Sequence, residues 1–197
     1  MREGRTLSNY PSTEECYRIL REEKLSTVVV RHCCVVNLVA MSIARRCGAD
    51  LELVNSASLL HDIGRSRTHG VQHVAEGVRI AKEHQLPDQL VNCIGRHIAS
   101  GFTAEEAEAL GLPKGDYMPV TLEDKVVNFA DNLVSDRSIK TVAQAAERMR
   151  SKGFELTANR MLAMGQDLSR MCGEDIDSIL EKDQVREAAA ARCDEIA

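Results

Sequence analysis

Apolar residues recur every three or four positions along most of this chain, and the residues between the runs are those that start and stop helices. Ser12 or Thr13, followed by Glu14 and Glu15, predicts an N-cap with acid in the first turn and a helix to about Lys24. Ser26 or Thr27 opens a second helix that runs to Cys47 and stops at Gly48. Asp50 starts a third, with Leu53, Ala57, Leu60 and His61 on related faces, ending around Gly64. A fourth covers about His69 to Glu83, and Pro87-Asp88 starts a fifth that reaches His97. A loop region from Gly101 to Gly115 contains a short helix, Thr103 to Leu110. Pro119 to Ser135 reads as a long helix with Leu122, Val126, Phe129 and Leu133 in an apolar stripe. After Asp136 the character changes to two or three charged amphipathic helices over 141–197, broken near Gly153 and Gly173. The fold expected is all-α: an N-terminal helix over 1–24, a core over 25–136 and a C-terminal helical extension over 137–197.

Composition narrows this further. With no Trp, three Tyr and three Phe, the core must come from Leu, Ile, Val, Met and Ala, which favours packed helices over a sheet sandwich. The net charge is −5 and no long basic patch exists, so long nucleic acid is not expected as a partner. Arg2 and Arg5 have no apolar run behind them, so no signal peptide is read and a cytoplasmic location is expected. The stretch Val28 to Ala44 is interrupted by Arg31, His32, Asn37 and Ser42, too short and polar to span a bilayer, so no membrane is expected. Seven Cys without a CxxC pair read as reduced thiols and not as a disulfide framework, with Cys33 and Cys34 as small apolar fillers.

The candidate chemistry lies in the core, which holds all six His residues (32, 61, 69, 73, 84 and 97). His61-Asp62-Ile63-Gly64 follows the apolar run Ala57 to Leu60. Adjacent residues inside a helix point about 100° apart, but at a helix end, where Gly64 permits an unusual backbone turn, His61 and Asp62 can converge on one ion. His32 stands mid-helix among apolar neighbours, and Asp131 is a carboxylate within an apolar helix, where it needs a cation, a metal or several donors. One metal shared by the four is more economical than four separate accounts. Imidazole with carboxylate suits Mn, Fe, Co, Ni or Zn and takes Mg less readily.

His32, then His61-Asp62, then Asp131, on an all-helical chain with HDIG intact, resembles the HD-domain phosphohydrolase superfamily, in its small prokaryotic form. The resemblance covers about 25–136. It implies a helical bundle, a divalent metal held by these four residues, and hydrolysis of phosphate esters. It also implies a second ion held by His73, which opens His73-Val74-Ala75-Glu76-Gly77, and by His97, with Asp62 bridging and serving as the catalytic residue. His69, four residues before His73, competes for that position. His84 reads as an exposed surface residue. Arg65 follows HDIG where related proteins often have Lys, and is expected on substrate phosphate; Lys125 and, less strongly, Arg96 are further candidates.

These readings combine into a hydrolase of a phosphomonoester or phosphoanhydride, a nucleotide by preference, attacked by a metal-activated water. A phosphodiesterase on a cyclic or dinucleotide substrate is the alternative, and the loop from Gly101 to Pro119 would shape that choice. A metal-bound sensor or scaffold is the non-enzymatic alternative. The amphipathic extension makes a homodimer a reasonable expectation.

Overall fold

The computed structural model describes residues 9–135 and 138–193. Arg2, Arg5 and the expected boundary at Asp136 lie outside them. Helix α1 is Thr13–Glu22, capped by a Ser12/Glu15 capping box. Helix α2, Thr27–Cys47, ends on Gly48 at φ +72°, the left-handed conformation that glycine adopts without strain. Then follow α3 (Leu51–Leu60), a 3₁₀ turn (Ile63–Ser66), α4 (His73–Glu83), α5 (Asp88–Gly95), α6 (Ala104–Ala109) and α7 (Leu122–Leu133). A two-residue hairpin, β1 (Val134–Ser135) with β2 (Ser138–Ile139), precedes α8 (Val142–Ser151), α9 (Glu155–Cys172), α10 (Ile176–Lys182) and α11 (Val185–Arg192).

Helix α2 is the axis of the bundle. It packs against α3 and α7 and also against α9, α10 and α11. By length and composition it is also a candidate to cross a membrane, with mean hydropathy 1.7, which corrects the expectation that it is too short and polar. Here the apolar residues serve a core: Cys33, Val36, Val39, Ala40, Ile43 and Ala44 are sealed from solvent. One cluster of buried side chains runs from Cys16 in α1 to Cys193, so the extension shares the core of the preceding helices. A second, small cluster of Val74, Ala107, Leu112 and Tyr117 ties α6 and its flanking loops to the start of α4.

The structure corrects several readings. The extension has four helices; its breaks at Gly153 and Gly173 fall where expected, at φ +83° and +69°, and a further break comes at Gln184, itself left-handed at φ +49°. The reduced-thiol reading fails. Cys34 is bonded to Cys193 and Cys47 to Cys172, leaving Cys16, Cys33 and Cys93 free and buried. The pairs are 159 and 125 residues apart, so local spacing carries no trace of a contact made only when the extension folds back on α2.

Candidate metal centre

Five segments deliver the site. His32 lies in α2, His61 and Asp62 at the end of α3, His73 at the start of α4, His97 just past α5, and Asp131 in α7. Helix α3 stops at Leu60, earlier than expected, and Asp62 takes φ −94° and ψ 14° before the 3₁₀ turn. That change of helix type, and not an unusual conformation at Gly64, swings Asp62 beneath His61. Gly64 is required for a different reason: a Cβ there would stand 1.9 Å from the carbonyl oxygen of His73 and 2.4 Å from the nitrogen of Gly77. The HDIG turn and α4 therefore touch backbone to backbone, which brings His73 over Asp62. Gly77 permits a second close approach, since a Cβ on it would meet Ile94 Cγ2 of α5 at 3.0 Å.

The carboxylate of Asp62 faces two pairs of imidazoles. Its Oδ2 is 3.8 Å from His32 Nε2 and 3.7 Å from His61 Nε2, while its Oδ1 is 3.2 Å from His73 Nε2 and 3.5 Å from His97 Nε2. Asp131 Oδ1 closes the first group, 2.9 Å from His32 Nε2 and 3.5 Å from His61 Nε2. Three triads have ligand atoms within 4.8 Å of one another: His32, His61 and Asp62; His61, His97 and Asp131; and Asp62, His73 and His97. His61, Asp62, His73 and His97 are buried, while His32 and Asp131 are about a fifth exposed and form the open side.

The ring tautomers are set by backbone. Nδ1 of His61, His73 and His97 donates to the carbonyl oxygen three residues earlier, of Ser58, Gly70 and Ile94, at 2.8, 2.7 and 2.7 Å. Each Nε2 is then left with a lone pair aimed inward. His73 and His97 bring these atoms to 3.1 Å, and His61 and His32 to 3.4 Å. Lone pairs so placed repel unless a cation or proton lies among them. Asp62 Oδ1 is buried and makes no hydrogen bond, a state that costs free energy unless a cation satisfies it. The cluster is able to hold a divalent metal, and its mix of imidazole and carboxylate fits the harder transition ions. Electrostatics agree. Burial raises the carboxyl pKa of Asp62, but His61, His73 and His97 outweigh it and hold the group well below its ordinary range. Burial likewise works against ionised Asp131, and the neighbouring His32 and His61 imidazoles outweigh it. Burial depresses His97, aided by its imidazole neighbours.

The remaining candidates divide. Arg65 lies at the site with Nε 2.6 Å from Asp62 Oδ2, and its Nη1 donates to the His69 carbonyl. Lys125 is half-buried on α7 and, among the described residues, forms no ion pair with the cluster; six residues from Asp131 is about 120° away around the helix. Arg96 binds the buried Asp124, which also accepts from Cys93 and from the Val120 and Thr121 nitrogens, so it fastens α5 to the start of α7. His69 precedes α4 and is exposed, so the same-face pairing with His73 does not arise. His84 is half-buried and bonds Glu23 at 2.8 Å, in place of the free surface position expected. The orienting carbonyls were missed by sequence reasoning, although each stands three residues before a helix-end His.

The chain matches the HD domain family over residues 29–136. It belongs to that family. Over 179 residues this HD chain is 37% identical to the tRNA (cytidine(56)-2'-O)-methyltransferase of Picrophilus torridus, covering 91% of the chain and 52% of that protein. Over 111 residues it is 47% identical to the uncharacterized protein MJ0778 of Methanocaldococcus jannaschii, covering 54% of the chain and 66% of that protein. The chain thus spans about half the length of the methyltransferase relative. The crystal structure of the HD domain of the L. monocytogenes phosphodiesterase PgpH with cyclic-di-AMP shares the fold, with a TM-score of 0.58 at 15% identity over 83% of this chain and 96% of that one.

Proposed function

We propose that this HD domain hydrolyses a phosphate ester or anhydride of a small nucleotide, with His32, His61, Asp62 and Asp131 holding one divalent transition metal and Asp62, His73 and His97 a second. The observation that carries the reading is the division of Asp62, one oxygen toward each histidine pair. A divalent metal, when bound there, supplies Lewis acidity toward phosphoryl oxygens and a water acidified to near neutral pH. The chain's own residues do the rest. The carbonyls of Ser58, Gly70 and Ile94 keep the three imidazoles in their ligating tautomer. Asp62, buried and held ionised, positions both groups at once. Arg65, partly exposed and paired with Asp62, stands where its guanidinium would meet a substrate phosphate.

A phosphodiester substrate is the second reading, favoured by the likeness of fold to a phosphodiesterase solved with cyclic-di-AMP. The full-length methyltransferase relative adds short RNA as a sensible probe. Protein loaded separately with Mn, Fe, Co, Ni, Zn or Mg should release phosphate or nucleotide from at least one member of a panel of nucleoside mono- and triphosphates, cyclic dinucleotides and short RNA. Products from monoesters or anhydrides alone select the first reading and products from diesters the second. No turnover with any metal, in protein shown to hold about two ions, would remove the enzymatic reading and leave a metal-bound sensor.

A further inference from the structure

A groove of about 410 Å³ runs between α2 and α11. Its α2 wall carries Leu38, Ser42, Arg45 and Arg46, one helical face over two turns. Opposite stand Val185, Ala188 and Arg192, again on one face. The helices run antiparallel. The Cys34–Cys193 bridge fixes the end beside Arg192, and Asp183, bonded to Ser42 and Arg46, fixes the other. A second bridge, Cys47–Cys172, adjoins Arg46. The groove is therefore held open by covalent and ionic ties at both ends, which lowers the entropy a ligand must overcome.

Its charge is lopsided. In a chain of net charge −5, the described lining of this groove carries three guanidiniums and one carboxylate. Both oxygens of Asp183 are already taken: Oδ2 accepts from Ser42 Oγ at 2.6 Å and from Arg46 at 3.1 Å, and Oδ1 from Arg46 at 2.6 Å. Arg45 and Arg192 form no ion pair or side-chain hydrogen bond among the described residues. Basic residues near the ends of α2 and α11 suit the helix dipoles, but that accounts for each singly and not for their lining the two ends of one groove. Leu38 and Arg46 are eight residues apart, about 12 Å along the helix. The floor between the cations, Leu38, Val185 and Ala188, is apolar.

We infer that this groove is a second ligand site, separate from the metal centre, for a small organic polyanion of the nucleoside triphosphate class. The phosphates would meet Arg45 and Arg46 and the uncharged body would cover the apolar floor, with Arg192 at the far end. The volume lies within the range of small-molecule sites, roughly 300–1,000 Å³.

Calorimetric titration of the full chain with ATP in EDTA, where no metal remains to hold or hydrolyse it, tests the assignment. The expected result is one saturable site whose affinity falls with added salt. Arg45→Ala with Arg192→Ala should weaken it at least tenfold without moving the melting temperature by more than a degree or two, because both residues are exposed and, among the described residues, form no ion pair or side-chain hydrogen bond. Asp62→Ala should leave it unchanged. Inorganic phosphate, lacking an apolar body, should bind at least tenfold more weakly than ATP. The assignment is overturned by absence of saturable binding at millimolar ATP, by equal affinity for phosphate, or by binding that persists in the double variant. If that variant misfolds, Leu38→Glu provides the same test, since an anion on the floor should abolish binding.

Discussion

Between α2 and α7 the interior encloses His61, Asp62, His73, His97, Asp124, Asn128 and Asn132, all nearly shut off from solvent, whereas from α8 to α11 the only buried polar residue among those described is Thr157. Enclosing ionisable groups costs stability unless they are paired or ligate a metal. The first region accepts that cost at one cluster and offsets it with mutual contacts and backbone hydrogen bonds. The second buries Ala, Met, Leu and Ile and is tied to α2 by two bridges. The contrast separates chemistry from reinforcement within one continuous core, and it can be probed from either side.

The largest effect should come from the reinforcement. Reducing both bridges frees two very long loops, and loss of a native bridge typically costs about 2–5 kcal/mol. At about 2–4 °C per kcal/mol for a chain of this size, the melting temperature should drop by on the order of 10 °C or more. Scanning calorimetry with and without dithiothreitol measures this directly, and an unmoved transition would show that the bridges do not reinforce the fold. Below the new transition, metal content should be unchanged, because neither bridge contains a ligand.

Asp62→Ala should do the reverse. Losing the carboxylate that faces both histidine pairs should reduce hydrolysis by about 10³-fold or more, several kcal/mol of transition-state stabilisation. The melting temperature of metal-free protein should hardly change, since the substitution also removes an unsatisfied buried oxygen. Near-normal turnover by a folded variant would exclude Asp62 from the chemistry.

Gly64→Ala tests how the two kinds of region meet. Its Cβ would collide with backbone of α4 and not with a pliable side chain, so a loss of about 3 kcal/mol is expected, at the upper end of overpacking. Metal affinity should fall with it, because His73 rides on the displaced segment. A variant with wild-type stability and metal content would mean that the close approach is dispensable.

How much of this was legible in the sequence follows from which forces are local. The cap at Ser12 or Thr13, the Gly48 stop and the short helix from Thr103 state their roles within a few residues, and the structure places helix ends there, whereas α3 stops at Leu60, short of the Gly64 expected. His32 and Asp131, 99 residues apart yet 2.9 Å from one another, were legible only as polar residues out of place on apolar helices. The role of Gly64 was misassigned because its neighbour across the contact, α4, cannot be seen from HDIG itself. The bridges were invisible for the same reason. They depend on where α9 and α11 return to α2, and no spacing rule encodes that return.

The smallest and most discriminating effects concern the second histidine pair. Helix α4 begins at His73, so His69 lies in the preceding loop and gives only its carbonyl, to Arg65. His73 and His97 instead direct Nε2 at Asp62 Oδ1, each braced through Nδ1 by a backbone carbonyl. His73→Ala and His97→Ala should each lower metal content by about one ion and leave the other in place. Losses of this kind typically reach 10- to 100-fold in affinity or activity, so excess metal should restore part of the turnover. His69→Ala should change neither metal content nor rate, because the backbone carbonyl it contributes survives the substitution. Elemental analysis of the three variants beside the unaltered protein decides the matter. Metal loss in His69→Ala with none in His73→Ala would transfer the ligand role to the loop, and one ion in every sample would reduce the centre to His32, His61, Asp62 and Asp131.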